Sequence, residues 1–280
     1  MKVLLAGCGD IGQRVATKLD PSYQCFGLRR SPFVFSDRIT PIVADMTDQQ
    51  KLTNIFTGKI DVVVATLTPS SRSEDAYNKA YVETSKALTT VVNQATYQPK
   101  LVIWVSSTSV FGDCSSGWVD ERSLAQPTSF SSQALLQAER NIGQLYCKHI
   151  VVRFSGIYGP GRHRLISEVE SGIGRPAEPE YWTNRIHSED CAGVINYLIE
   201  ENLSQKPLDS LYIATDCEPV TQHNLREWLA AQLGVSLTEQ PSRPGLLRRL
   251  SNKRLIQAGY QFKFPTYREG YRSLINGLSD

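Results

Sequence analysis

The stretch Lys2-Val3-Leu4-Leu5-Ala6-Gly7-Cys8-Gly9-Asp10-Ile11-Gly12 decides the fold. A short apolar β-like run leads directly into G-x-G-x-x-G, and the glycines open a helix-compatible segment with Ala16 and Leu19 on its inner face. A glycine cluster alone is a weak signal, but between a strand and a helix it acquires a mechanism. Gly7 permits the tight turn, Gly9 lets backbone N–H groups approach a pyrophosphate, and Gly12 lets helix and strand pack closely. The helix N-terminus faces the anion with its positive dipole end. Gly7, Gly9, Asp10, Ile11 and Gly12 are therefore the expected phosphate cradle. Leu4–Cys8 also matches a lipid-attachment box, but the apolar run before it is far shorter than the roughly 7–15 residues of an export signal. Cys8 itself can be read as a small loop filler or as a thiol activated by the helix end.

Outward from this stretch, strand and helix signals alternate. Strands are expected at Lys2–Ala6, Tyr23–Leu28, Ile42–Ala44, Asp61–Ala65, Leu101–Ser106, Ile150–Phe154 and Leu211–Ala214. Their near-continuous Val/Ile/Leu content indicates strands covered on both faces, hence a mostly parallel sheet. Asp10–Leu19, Asp75–Ala95 and Ser129–Tyr146 read as helices. In the second, Ala80, Thr84, Ala87, Leu88, Val91 and Ala95 share one face at helical spacing. The pattern predicts an α/β fold, a Rossmann-type doubly wound sheet with a smaller C-terminal substrate-side domain. The division expected is 1–156 for the Rossmann domain, rejoined by about 186–215, with 157–185 and 216–280 in the smaller domain.

The second strand runs into Gly27-Leu28-Arg29-Arg30-Ser31, and no acid occurs between Asp20 and Asp37. An acidic residue here would hold a ribose 2′-hydroxyl, whereas Arg accepts a 2′-phosphate through a charge-assisted fork. Arg29 and Arg30 thus point to NADP over NAD, the alternative being a solvated pair at a strand end.

Composition sets the outer limits. The 280 residues are 41% hydrophobic and 21% charged with a net charge of +2, an ordinary globular balance lacking the footprint of a nucleic-acid binder. Six dispersed cysteines (8, 25, 114, 147, 191, 217) form no C-x-x-C pair, and no His/Cys cluster has metal-ligand spacing. Reduced thiols in the cytoplasm, no metal and no membrane segment are the expectation, since no apolar run approaches about 18 residues.

Several segments together resemble the extended short-chain dehydrogenase/reductase superfamily, the NAD-dependent epimerase/dehydratase group. They are Ala44-Asp45-Met46, Ser106-Ser107-Thr108-Ser109-Val110-Phe111-Gly112, Arg153 through Gly161 with its Ile-Tyr-Gly-Pro-Gly, and Arg185-Ile186-His187-Ser188-Glu189-Asp190. The resemblance implies that Asp45 and Met46 contact adenine, and it adds Thr66, Leu67 and Ser106 to the cofactor-binding set. It places Ser107 at the catalytic Ser/Thr position, although a hydroxyl satisfying backbone at a strand end is equally natural. It also implies a homodimer through helices 75–95 and 129–146.

The superfamily's chemistry uses Tyr-x-x-x-Lys, in which one helix face carries a proton donor and the ammonium that lowers its pKa. None of the twelve tyrosines here has Lys four residues later. Aligning Glu139 with the acid that follows that Lys puts Ser131 and Leu135 at the two positions. Tyr158 and Tyr181, each with Arg four residues on, are candidate substitute acids, and Tyr158 is taken as the candidate proton donor although a tyrosine in the Ile-Tyr-Gly-Pro-Gly stretch is more often architectural. His187 is read as packing near the domain junction, and Asp120-Glu121 as a solvated turn. The C-terminal cations Arg243, Arg248, Arg249, Lys253, Arg254, Lys263, Arg268 and Arg272 could line a cleft for an anionic substrate or simply be solvated. Two functions follow: an NADP-dependent oxidoreductase or epimerase-like enzyme acting on a small carbonyl or sugar-type substrate, or a non-catalytic NADP(H)-binding sensor that engages a partner.

Overall fold

The computed structural model describes residues 1–112, 116–240 and 245–277. Cys114 and Arg243 lie outside them. From the N-terminus the chain runs β1 (Lys2–Ala6), α1 (Asp10–Lys18), β2 (Gln24–Arg29), β3 (Ile39–Val43), α2 (Gln49–Phe56) and β4 (Val62–Ala65). A long helical passage follows: α3 (Glu74–Tyr77), a π-helical segment at Asn78–Glu83, and α4 (Thr84–Gln94). Next come β5 (Leu101–Ser107), β6 (Ser116–Val119), α5 (Phe130–Ile142), β7 (His149–Phe154), β8 (Gly156–Tyr158) and α6 (Arg164–Glu170). Then β9 (Ile173–Gly174), β10 (Trp182–Thr183), β11 (Arg185–His187), α7 (Ser188–Leu203) and β12 (Leu211–Ala214). The chain closes with β13 (Val220–Thr221), α8 (Gln222–Leu233), β14 (Thr238–Glu239), β15 (Leu247–Leu250), α9 (Lys253–Gln257) and α10 (Tyr267–Asn276).

Seven strands form one sheet in the order β12-β7-β5-β4-β1-β2-β3. The pairs β3–β2, β2–β1, β1–β4 and β4–β5 are parallel. The doubly wound parallel sheet expected from the Val/Ile/Leu runs is therefore present. Strand order reverses between β1 and β4, and ligands of such sheets bind outside the carboxyl ends of the strands at that point. The cause is elementary: the connections on either side of β1 and β4 leave in opposite directions and open a crevice between them.

The largest departures from the expected boundaries are three. The third strand starts at Ile39, three residues before the apolar signal, because it is the sheet edge, where Pro41 needs no ladder donor. The helix expected over 75–95 is interrupted by the π segment. The one expected to reach Tyr146 ends at Ile142, with Gly143 as its C-cap.

The chain divides into two units. The first comprises Met1–Val110, Ala125–Arg153 and Ala192–Tyr212. Its core joins Leu4, Leu28, Val63, Trp104 and Val151 of the sheet to Leu88 and Val92 of α4 and to Ala138 and Ile142 of α5. The second comprises Phe111–Leu124, Phe154–Cys191 and Ile213–Asp280. Its core is built by Tyr158, Ile166, Val169, Leu225, Leu229, Tyr267 and Tyr271. Short pairings, β11–β8 and β15–β6 in parallel and β10–β13 antiparallel, tie its segments together. Asp190 does the same, accepting from the Tyr260 hydroxyl at 2.8 Å and from the amides of Lys263 and Phe264 at 2.7 and 2.9 Å. Among the described residues no helix is long and apolar enough to cross a membrane, and no His/Cys/Asp/Glu group could hold a metal ion.

Candidate cofactor-binding site

The first unit carries a cavity of about 210 Å³ at the carboxyl ends of β1, β2 and β4. Its floor is the turn after β1. Gly7 sits at φ +73°, where only glycine is unstrained, and an added Cβ would lie 2.9 Å from Leu67 Cδ2. Gly12 is also needed for packing, since its Cβ would meet Cys8 Sγ and Thr66 Oγ1 at 3.3 Å. Gly9 differs: an added Cβ there meets nothing nearer than Gly7 O at 3.7 Å. Packing does not require glycine at position 9, and its missing side chain instead leaves the cavity floor open.

Carbonyl groups of the turn already use three amides. Gly7 and Cys8 N–H donate to Leu28 O at 3.0 and 3.1 Å, and Gly9 N–H donates to Gly7 O. The first turn of α1 is different. Gly9 is its N-cap and offers no side-chain cap, so the leading amides at Ile11 and Gly12 face outward with the helix dipole behind them. The helices α2, α5, α8 and α10 are each capped by an Asp, Ser or Thr side chain. The Asp10 carboxylate is drawn aside by Arg14 at 2.7 Å. Cys8 is fully buried, and burial pushes its thiol up to about 12 against the pull of Arg29, so it packs as a filler.

The cavity wall on the β2 side is cationic. Arg29, Arg30 and Ser31 line it, and Arg29 rests over the Phe33 ring at 4.1 Å. Neither arginine has an ion-pair partner among the described residues. Just after the adjoining edge strand β3, Asp45 accepts from the amide and hydroxyl of Thr47 at 3.0 and 2.9 Å and pairs with Lys79 at 3.0 Å. Partial burial opposes the charge on Asp45, yet the Thr47 and Lys79 contacts prevail and hold its carboxyl below the usual range. Met46 is buried beside it, and Leu67 closes the wall over Gly7.

Of the sequence-derived set, Gly7, Gly9, Arg29, Arg30, Asp45, Met46 and Leu67 line this one cavity. Asp10, Ile11, Gly12, Thr66 and Ser106 do not. Thr66 instead donates to Gly7 O at 3.1 Å and fastens the turn to β4. The Ser106 hydroxyl donates to Glu139 Oε1 at 2.6 Å, and Arg153 grips the same carboxylate at 3.0 and 2.6 Å. Sequence reasoning missed Lys79, Ala80 and Thr84, which come from the π segment and the start of α4. A π turn shifts the side-chain phase out of the 3.6-residue period on which the reading relied.

The proposed catalytic residues fall as follows. Ser107, half-buried at the end of β5, accepts the Ser109 amide at 3.2 Å, which leaves its own proton to donate. Tyr158 is 2% exposed in the core of the second unit, stacked on Tyr271 at 4.4 Å between ring centroids. Its hydroxyl abuts Gly270, where any Cβ would collide with it, and burial pushes the phenol upward. At the dyad positions Ser131 bonds to Ser129 Oγ at 2.8 Å, and Leu135 is buried. His187 is buried beside Tyr158, and Glu121, expected in a solvated turn, is buried and accepts the Ile213 amide at 2.9 Å.

Comparison with known proteins bears on this arrangement. Residues 1–276 match the family model of the RmlD substrate binding domain. A Methylobacillus flagellatus structure assigned as an NAD-dependent epimerase/dehydratase is 33% identical, covers 100% of this chain and 99% of its own, and superposes with a TM-score of 0.83. A human epimerase family protein solved with NADPH shares 18% identity over 98% of both chains, TM-score 0.80. The dTDP-glucose 4,6-dehydratase of Bacillus anthracis, in complex with NAD, shares 14% over 100% of this chain and 96% of its own, TM-score 0.80. These last two share the fold. No curated protein matches by sequence.

Proposed function

The chain belongs to the RmlD substrate binding domain family, within the extended short-chain dehydrogenase/reductase superfamily, and from that premise we propose that it is an NADP-dependent oxidoreductase of epimerase/dehydratase type. One observation carries the cofactor choice: two arginines without acidic partners, Arg29 and Arg30, line the same cavity as the Gly7–Gly9 turn. A guanidinium pair at the end of β2 suits a 2′-phosphate and lacks the carboxylate that a free 2′-hydroxyl calls for. The residues present fit such a cofactor. Gly9 leaves the backbone approachable, the uncapped N-terminus of α1 takes the pyrophosphate, and Met46 and Leu67 offer apolar walls for adenine.

When bound, NADP supplies the hydride donor or acceptor. The chain's own part is to hold a substrate carbonyl and manage a proton. Ser107 has a hydroxyl proton to give to a carbonyl oxygen, the role that its position in the Ser106–Gly112 signature suggests. Tyr158 is left out of this reading, because a buried phenol pressed on Gly270 has a packing role. The substrate is a small carbonyl or sugar-type compound.

A second reading has its own observation. At the positions where the superfamily carries its Tyr and Lys, this chain has a serine tied into a hydroxyl cluster and a buried leucine. A protein that binds NADP(H) as a sensor has no need of either group. A panel of carbonyl compounds and nucleotide sugars separates the two, followed as NADPH oxidation and, with NADP bound, as redox-neutral conversion of the compound itself. Turnover that falls at least about tenfold in Ser107→Ala supports the enzyme. Tight NADP(H) binding with neither net oxidation of NADPH nor redox-neutral conversion of any compound overturns it in favour of the sensor.

A further inference from the structure

In the second unit, β15 pairs with β6 so that Arg249 lies opposite Trp118, and Trp182 of β10 bridges Leu246 just before β15. The three segments bring two indoles to one guanidinium. The Arg249 carbon centre lies 5.1 Å from the Trp118 ring centroid and 4.8 Å from that of Trp182. Strand alternation puts this group on the outer face: Trp118 is 61% exposed and Leu247 45%, while Val119, Arg248 and Leu250 point inward.

Four arginines of the basic C-terminal set are otherwise engaged. Arg248 donates to Gly112 O, Arg254 faces Glu121 at 3.7 Å, Arg268 pairs with Glu218, and exposed Arg272 lies over the Trp228 ring at 5.6 Å. Arg249 has no carboxylate within ion-pair distance among the described residues, and its Nε is buried without a hydrogen-bond partner. A cation within cation–π distance of two indoles is held in place by them, and its free N–H groups suit the two oxygens of a phosphate or carboxylate. The exposed Trp118 indole adds an apolar surface for whatever carries that group.

We propose that Trp118, Trp182 and Arg249 form a binding site for a small organic oxyanion, a phosphate monoester or carboxylate attached to a flat or ring-shaped body. Every residue in it belongs to the second unit, so binding does not depend on the cofactor assignment. Only the step of calling such a compound the substrate rests on the enzyme reading.

The test is nitrogen-labelled full-length protein without cofactor, observed through its four tryptophan indole N–H signals. Phenyl phosphate, benzoate, inorganic phosphate and benzyl alcohol are titrated separately. Saturable shifts of the Trp118 and Trp182 signals with phenyl phosphate or benzoate, with Trp104 and Trp228 unmoved, are the expected result. The tighter of the two anions identifies the preferred oxyanion. Inorganic phosphate binds at least about tenfold more weakly, and Arg249→Gln and Trp118→Ala each lose about tenfold or more. The fully buried Trp104 signal reports whether each variant is folded, and exposed Trp118 is the safer of the two to replace. No saturable shift with either anion, an equal response to benzyl alcohol, or unchanged binding in folded Arg249→Gln overturns the proposal.

Discussion

Two helix N-termini in the first unit treat their amides in opposite ways. At α1 the cap is Gly9, no side chain closes the turn, and the surrounding wall is cationic. At α5 the cap is Ser129, whose hydroxyl takes the Ser132 amide at 3.2 Å while the Ser132 hydroxyl takes that of Ser129 at 3.1 Å. Ser131 joins the same cluster. One end is left without a side-chain cap, and the other has satisfied itself. Two turns further along α5, Glu139 is shared by Ser106 and Arg153, so the helix holds β5 and β7 together by polar contacts. The comparison separates an N-terminus left open beside a cavity from one closed by its own hydroxyls.

The contrast can be broken most forcefully at Glu139. Its carboxylate and the Arg153 guanidinium are 8% and 6% exposed and 2.6 Å apart. Glu139→Ala leaves the Arg153 charge buried without its carboxylate and is expected to lower stability by about 3–5 kcal/mol in urea unfolding. Replacing both residues by Met should recover most of that loss, because no charge is then left behind. Gly9→Ala comes next and should act on binding alone. A Cβ there has room within the protein but intrudes on the cavity floor, so NADP affinity should fall roughly 100-fold by calorimetry with Tm within about 2 °C of the parent. The smallest effect sharpens the other side. Ser129→Ala opens the α5 cap and should cost about 1 kcal/mol of stability while leaving NADP affinity unchanged.

Much of this was legible in the letters. Gly7, Gly9 and Gly12 between a strand and a helix gave the turn below the cavity and Arg29 and Arg30 its charge, because each depends on local order along the chain, while Asp45 and Met46 came from the family resemblance. What escaped depended on contacts between segments. Lys79 reaches Asp45 from a π turn that no 3.6-residue pattern encodes. Ser106 occupies a signature position, but only the fold brings Glu139 to its hydroxyl. Tyr158 sits in a motif whose letters carry no record of burial, so its placement against Gly270 and Tyr271 could not be read. The strand β6, four residues with a glycine inside, has too little periodicity to announce itself, and with it went the pairing of Trp118 with Arg249.

The account's central claim is that the open helix end at α1 and the arginines at the end of β2 make one NADP site. Calorimetric titration of NADP and of NAD into the parent protein and into Arg29→Ala and Arg30→Ala tests it most directly. The claim predicts NADP tighter than NAD by at least about tenfold, a preference that collapses in the arginine variants through weaker NADP binding while NAD affinity holds. Equal affinity for the two cofactors in the parent, or a preference that survives the loss of both arginines, would contradict it.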